Sequence, residues 1–334
     1  MCMRIARAAA LLAVSVLVAL GGWGGAFSAF GNAHRALGAR GRHGDPLAVL
    51  GLYRQARTDV DAAEAQLVAA GRAADARLLG RISRRPRAVW LGAWDGPDPG
   101  AQAAAIVADA RRRRSLPVLV TYDIPGRDCG PITAAAAHAY RRWIAGLAGA
   151  LGHWPVAVIL EPDALAGLGC ASPAAQSTTV GLLRTAVVAL VARPRTTVYV
   201  DAGNSHWMPV AVMAARLRAV GLSHVRGFAL NVSNFNPTAS EVAYGRKLSA
   251  ATDRAHFVID TSRNGRGPAP GNDVCNPSGR GLGVPPSTRT ATSLADAYLW
   301  VKIPGESDGT CHGGPGAGVF WTAYALGLAA RAQP

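Results

Sequence analysis

Residues 156–201 read VAVILEPDALAGLGCASPAAQSTTVGLLRTAVVALVARPRTTVYVD. Two short β-branched runs, Val156–Leu160 and Thr197–Val200, flank an alanine-rich helical stretch near 173–192. Both runs are apolar throughout, as strands buried on both faces are. Each is followed by carboxylates: Glu161-Pro162-Asp163 after the first and Asp201-Ala202-Gly203-Asn204 after the second. A strand, a helix and a second strand predict a parallel βαβ unit.

The same rhythm continues outward in both directions. Further strands are predicted at Ala88–Gly92, Pro117–Tyr122, Gly227–Asn231, His256–Ile259 and Leu299–Ile303, with helices near 100–114, 134–151, 209–219 and 238–250. Residues 51–82 read as helical and are expected to wrap the outside. Seven such strands predict an α/β protein with a closed or nearly closed parallel barrel. No GxGxxG follows the first strand and no Gly-rich phosphate loop occurs, which argues against a nucleotide fold. The stretch Asn264–Pro286 is rich in Gly and Pro without periodicity, the mark of a functional loop.

The chain has 334 residues, half of them apolar. That suffices for one large core. MCMRIARAAALLAVSVLVAL (1–20) places Arg4 and Arg7 before an apolar run, and small residues follow. This layout predicts a secretory signal over 1–33, a flexible lead-in over 34–50 and one domain over 51–334. The apolar run is short for a membrane span. The expected location is therefore extracellular, with no stable membrane association after cleavage. Beyond the leader stand Cys129, Cys170, Cys275 and Cys311. An even count in an exported chain suggests disulfides, with three possible pairings. No Cys-x-x-Cys or His-x-x-x-His cluster supports a metal site. The net charge of +15 comes mostly from Arg scattered over helical stretches. No aromatics interleave with it to stack bases, which argues against nucleic acid. The expectation is a monomer without a cofactor.

Polar residues crowd after the strands. Besides Asp163 and Asp201 these are Tyr122 to Asp128, Asn231 to Asn234, Asp260 to Arg263 and Lys302 to Asp308. In a parallel barrel these positions share the C-terminal face, where such enzymes place their sites. One Asp there is often only a helix cap. Six successive strand ends carrying Asp, Glu, Asn or Lys, with Arg127, Lys302 and Trp207 beside them, exceed what capping needs. Crowded carboxylates push one another's proton affinity up. A protonated carboxyl beside an ionised one is what glycosidic cleavage requires. Trp94 and Trp207 offer flat apolar faces for sugar rings, whereas Trp300 and Trp321 read as core. No Gly-x-Ser-x-Gly elbow is present.

TYDIPGRDCG, VILEPDALAGL, VYVDAGNSHW, FALNVSNF, FVIDTSRNGRGP, CNPSGRGLG and LWVKIPGESDGTC occur in that order. Together they resemble glycoside hydrolase family 6, the inverting cellulases, over residues 47–330. The resemblance implies a distorted seven-stranded parallel β/α barrel (TIM-like) and the pairings Cys129–Cys170 and Cys275–Cys311. It implies Asp163 as general acid, Asp128 as the residue that raises the acid's pKa, Asp308 as base and Tyr122 as the residue favouring sugar distortion. Asp201, Asn231, Lys302 and Glu306 match sugar-binding positions, and Trp207 a stacking position. Three departures stand out. Val274 replaces a Trp that forms a glucose platform, a loss of ~1–3 kcal/mol by analogy with base stacking. The Ser/Gly-rich loop after Asp128 is replaced by Pro131-Ile132-Thr133 and Ala134 to Ala137, with Thr133 the nearest hydroxyl. Asn204 stands for a His, leaving a polar group at that sugar-binding position. The chain lacks long insertions after Cys170 and between Gly281 and Ala297. An endoglucanase acting on β-1,4-glucan in an open groove is expected. The alternatives are a cellobiohydrolase, a hydrolase of another glucan, or a glucan-binding protein that kept the fold.

Overall fold

The computed structural model describes residues 44–96 and 98–333, without the side chains of Asp95 and Asp128. The expected leader and the first ten residues of the expected lead-in lie outside the described residues.

A short strand β1 (Gly51–Leu52) is followed by helices α1 (Asp59–Ala69) and α2 (Ala73–Ser83). The βα alternation then runs β2 (Val89–Leu91), α3 (Pro99–Arg112), β3 (Ser115–Leu116), β4 (Val118–Thr121) and α4 (Ala134–Ala150). It continues with β5 (Val156–Leu160), α5 (Pro173–Val191), β6 (Thr196–Asp201), α6 (Val210–Ala219), β7 (Gly227–Leu230), α7 (Thr238–Ala250) and β8 (His256–Asp260). Strand β9 (Ala295–Leu299) and helix α8 (Thr322–Ala330) complete it. Seven strands form one parallel sheet in the order β2-β4-β5-β6-β7-β8-β9. β1 and β3 pair separately.

The seven strands curl into a half-barrel because their two faces carry different side chains. Small and branched residues line the inside: Val118, Val120, Ala157, Ile159, Ala229, Val258 and Ala297, with Tyr199 the largest. Residues of the opposite parity, such as Leu119, Val158, Leu160, Val198, Phe228 and Ile259, meet the helices. β2 and β9 are not paired in one ladder. The seam between them is spanned by the Ala88 N–H donating to Trp300 O at 2.9 Å and the Trp90 indole donating to Val301 O at 2.8 Å. Leu47 is fully buried in the inner core. The packed body therefore begins before residue 51, inside the expected lead-in.

Six predicted strands coincide with observed ones, but the seventh lies four residues earlier than Leu299–Ile303. Two sets of interactions account for the shift. Asp296, inside the real strand, is a polar residue that the pattern discounted. It accepts hydrogen bonds from Tyr199 Oη (2.6 Å) and Arg226 Nε and Nη2 (both 2.8 Å), and pairs with His256 Nδ1 (2.8 Å). Burial opposes ionisation of Asp296, but Arg226 and His256 hold its pKa below the usual carboxylate range. Beyond Leu299 the chain stays apolar, yet the Val301 and Lys302 N–H groups leave the ladder and donate to the Asp260 carboxylate. The expected helix over 51–82 is two helices preceded by a strand.

Candidate active site

The strand ends meet on one rim, and the rim is sewn together by carboxylates that accept backbone N–H groups from neighbouring strands. Asp123 accepts from Ala93 N at 2.9 Å. Glu161 accepts from Asp123 N and Ile124 N, both at 3.0 Å through Oε2. Asp201 Oδ1 accepts from Asp163 N and Gly203 N, each at 3.0 Å. Asp260 accepts from Ser233 N (3.0 Å), Ser262 N (2.9 Å) and Lys302 N (2.9 Å). Parallel strands splay apart at their ends and leave N–H groups unpaired, so a carboxylate from the next strand is the natural acceptor. Glu161 (φ 49°), Asp163 (71°), Asn231 (65°) and Ser233 (58°) all lie in the left-handed region. Such backbone is costly for non-glycine residues and gathers at functional sites.

Asp163 is half-buried, at the border of the rim and solvent. The fully buried Asp201 holds its backbone and stands close enough to feel its charge. Burial, reinforced by the charges of Asp163 and Asp260, raises the Asp201 pKa well above the usual carboxylate value. Asp201 thus favours its protonated form beside Asp163, as crowding in a buried site dictates.

On the far side, Arg263 is completely buried. It donates to Asp308 Oδ2 at 2.6 Å, and its Cζ lies 4.4 Å from the centroid of the Phe235 ring. Lys302 Nζ is 3.3 Å from Asp308 Oδ1. Burial disfavours the Asp308 charge, but Arg263 and then Lys302 outweigh it, so its pKa falls below the usual value. Burial, aided by Arg263, lowers the Lys302 pKa. Glu306, half-buried nearby, is pushed up to about 7 by burial, against the pull of Lys302.

Three aromatic rings shape the opening. Tyr122 lies edge-on to Trp90, with centroids 5.1 Å apart, and is tilted by 57° to Trp94 at 6.1 Å. Trp94 is 61% exposed and Trp207 39%, so both present open faces. Gly203 (φ 67°) lets Trp207 close over the backbone, because a Cβ there would stand 3.2 Å from the indole and 2.9 Å from Ala166 Cβ. Val274 is likewise exposed. Trp300 is buried and donates to Val284 O, and Trp321 stacks on Tyr324, both serving the core.

Several expected contacts take another form. Asp201 and Asn231 are each 0% exposed, so neither offers a surface to a sugar. Asn231 instead ties Asn236 and Asp260 O together through its amide. Asn204 is nearly buried and spends its oxygen on His206 N and Asn236 Nδ2. Thr133 caps helix α4, accepting from Ala136 N at 3.1 Å. The Ala134–Ala137 stretch is the first turn of that helix rather than a loop. The Asp128 side chain lies outside the described residues, while its backbone forms the short 3₁₀ turn Arg127–Cys129. Both implied disulfides are present, with Cα–Cα distances of 5.6 Å for Cys129–Cys170 and 6.2 Å for Cys275–Cys311. Glu161, Asp260 and Arg263, noted in sequence only as polar strand-end residues without a role, also carry the rim, as does the fully buried Glu241, which accepts from Ser205 N and Oγ. The signal for the first three was a charged residue at or shortly after a strand end; Glu241, inside helix α7, had none.

Comparison with known proteins agrees with this layout. The chain is 43% identical over 262 residues to endoglucanase A of Cellulomonas fimi, covering 78% of this chain and 57% of that protein. It is 43% identical over 257 residues to endoglucanase 1 of Streptomyces halstedii, covering 74% and 78% respectively. The chain thus spans little more than half the length of the first of these relatives. Among solved structures, a Mycobacterium tuberculosis endoglucanase in complex with methyl-cellobiosyl-4-deoxy-4-thio-β-D-cellobioside superposes with a TM-score of 0.80 at 44% identity. That match covers 86% of this chain and 99% of that one. The description "Glycosyl hydrolases family 6" matches residues 50–332, nearly the whole described body, and the chain belongs to that family.

Proposed function

We propose that this chain hydrolyses internal β-1,4-glucosidic bonds of cellulose-type glucans, with inversion at the anomeric carbon and Asp163 as general acid. The observation that carries the reading is the half-buried Asp163, whose backbone N–H is held by the buried carboxyl of Asp201 on a rim flanked by open aromatic faces. Asp163 delivers its proton to the leaving oxygen, and Tyr122, with Trp94 beside it, crowds the sugar before the scissile bond and favours its distortion. Trp207 offers a sugar-stacking face, while Lys302 and Glu306 bind hydroxyls. Asp128 keeps the role that the family resemblance gives it, raising the acid's pKa.

Asp308 is the proposed base. Two cations keep it ionised, so it is ready to accept a proton, and they also weaken its basicity. That suits a late transfer, through water, after the attacking oxygen has begun to bond to an oxocarbenium-like carbon. The similarity to two endoglucanases, of Cellulomonas fimi and Streptomyces halstedii, supports an internal mode of cutting. So does the short Gly130–Thr133 link between Cys129 and α4, which leaves little chain to roof the groove. Export as a monomer is part of the same proposal, and two disulfides fit an oxidising compartment.

The test is a substrate panel. Carboxymethyl-cellulose and barley β-glucan should lose viscosity early, faster than reducing ends accumulate. Cellobiose released without a viscosity drop would favour the cellobiohydrolase alternative. Binding without new reducing ends would favour a glucan-binding protein.

A further inference from the structure

Strand β5 ends on a carboxylate that a sugar does not reach. Glu161 is 1% exposed and sits at φ 49°. Its Oε2 accepts from Asp123 N and Ile124 N at 3.0 Å, and its Oε1 faces Asp123 N at 3.2 Å. Both N–H groups belong to the loop leaving the neighbouring strand β4. The same Oε2 lies 3.9 Å from Arg127 Nη2, at the other end of that loop. Arg127 in turn places its Cζ 3.5 Å from the centroid of the Tyr122 ring. The loop thus returns upon itself, Tyr122 to Arg127, with Glu161 inside the return. Two residues after Glu161 comes Asp163, also in the left-handed region.

A buried ionisable group is a costly way to satisfy two backbone donors. Burial raises the Glu161 pKa, and Arg127 is the largest opposing influence. An apolar residue would seal the core, but it would leave the Asp123 and Ile124 N–H groups without their acceptor and Arg127 without its counter-charge. The charge is therefore spent on geometry.

We propose that Glu161 is a positioning residue for glycosidic cleavage, holding the Tyr122 ring through Arg127 and fixing the Asp123–Asp128 loop in register with Asp163. This rests on the hydrolase reading above. A Tyr122 that drifts affects the sugar itself, not only the leaving group, so the loss should appear whatever the leaving group is. Misplacement by about 1 Å can cost ~10²-fold in rate.

The experiment compares kcat and KM of the full-length wild type, Glu161→Gln, Arg127→Met and their double variant. Substrates are cellotetraose and 2,4-dinitrophenyl β-cellobioside, assayed well below each protein's melting temperature. Glu161→Gln should lose roughly 10–100-fold in kcat on both substrates, with KM little changed. Arg127→Met should show the same pattern, and the double variant should lose much less than the product of the two single losses. A Glu161→Gln kcat within about twofold of wild type, or losses that simply multiply, would overturn the proposal. Should Glu161→Gln fail to fold, Arg127→Met decides alone: wild-type kcat on both substrates rejects the route through Tyr122. A wild type that releases no reducing ends from any glucan defeats the hydrolase reading instead, and is told apart by that.

Discussion

Asp163→Ala should lower turnover on barley β-glucan by about two to four orders of magnitude, the usual size of general-acid catalysis. The loss should shrink strongly on 2,4-dinitrophenyl β-cellobioside, whose leaving group departs without a proton. The reason is structural. Asp163 is a rim carboxyl half-open to solvent, and its backbone is pinned by the buried Asp201. The variant removes the proton donor and leaves the pinning hydrogen bond, which is made by the main chain. Steady-state rates on the two substrates check this. Equal losses on both would mean that Asp163 shapes the site rather than protonating the leaving oxygen.

Asp308→Asn carries the largest expected effect on stability. Arg263 is fully buried, and Asp308 is its counter-ion at 2.6 Å. Removing one partner of a buried ion pair leaves an uncompensated charge and costs about 3–5 kcal/mol. At roughly 2–4 °C per kcal/mol for a domain of this class, the melting temperature should fall by at least ~6 °C. The pH dependence has a definite sign. Arg263 and Lys302 hold the folded-state pKa of Asp308 below its unfolded value, against the opposing effect of burial. Its contribution is present above the unfolded carboxylate value, ~3.9, and is lost as pH falls through the lower folded value. The gap between wild type and Asp308→Asn should therefore be wide at pH 6, begin to narrow only below about pH 4, and close as pH falls through the lower folded value. Scanning calorimetry across that range reads it. An unchanged melting temperature at pH 6 would show that Arg263 finds another partner.

The barrel was legible because its strands are short, apolar on both faces and separated by alanine-rich helices. Val156–Leu160 and Thr238–Ala250 fall where the pattern puts them. β9 escaped because Asp296 and Tyr298 interrupt its apolar run, and only the distant Arg226, His256 and Tyr199 make that aspartate tolerable there. The pairing at 51–52 with 115–116 is two residues long and has no periodicity to read. At the rim, residue type was legible but orientation was not. An Asp after a strand can face the groove or turn inward to collect a neighbour's N–H groups, and both choices look the same in sequence. Asp163 stays at the border, while Asp201 and Asn231 turn inward. Arg263 and Glu161 pair with partners 45 residues ahead and 34 residues behind respectively, separations that no local pattern encodes.

The chemistry at the anomeric carbon is the most direct test. An acid at Asp163 and a base acting on water from the opposite side of the ring require inversion. Proton NMR of cellotetraose freshly cleaved by the wild type, recorded before mutarotation, should show the α-anomer at the new reducing end first. The β-anomer appearing first would contradict the assignment of Asp163 and Asp308 as an acid–base pair acting through water.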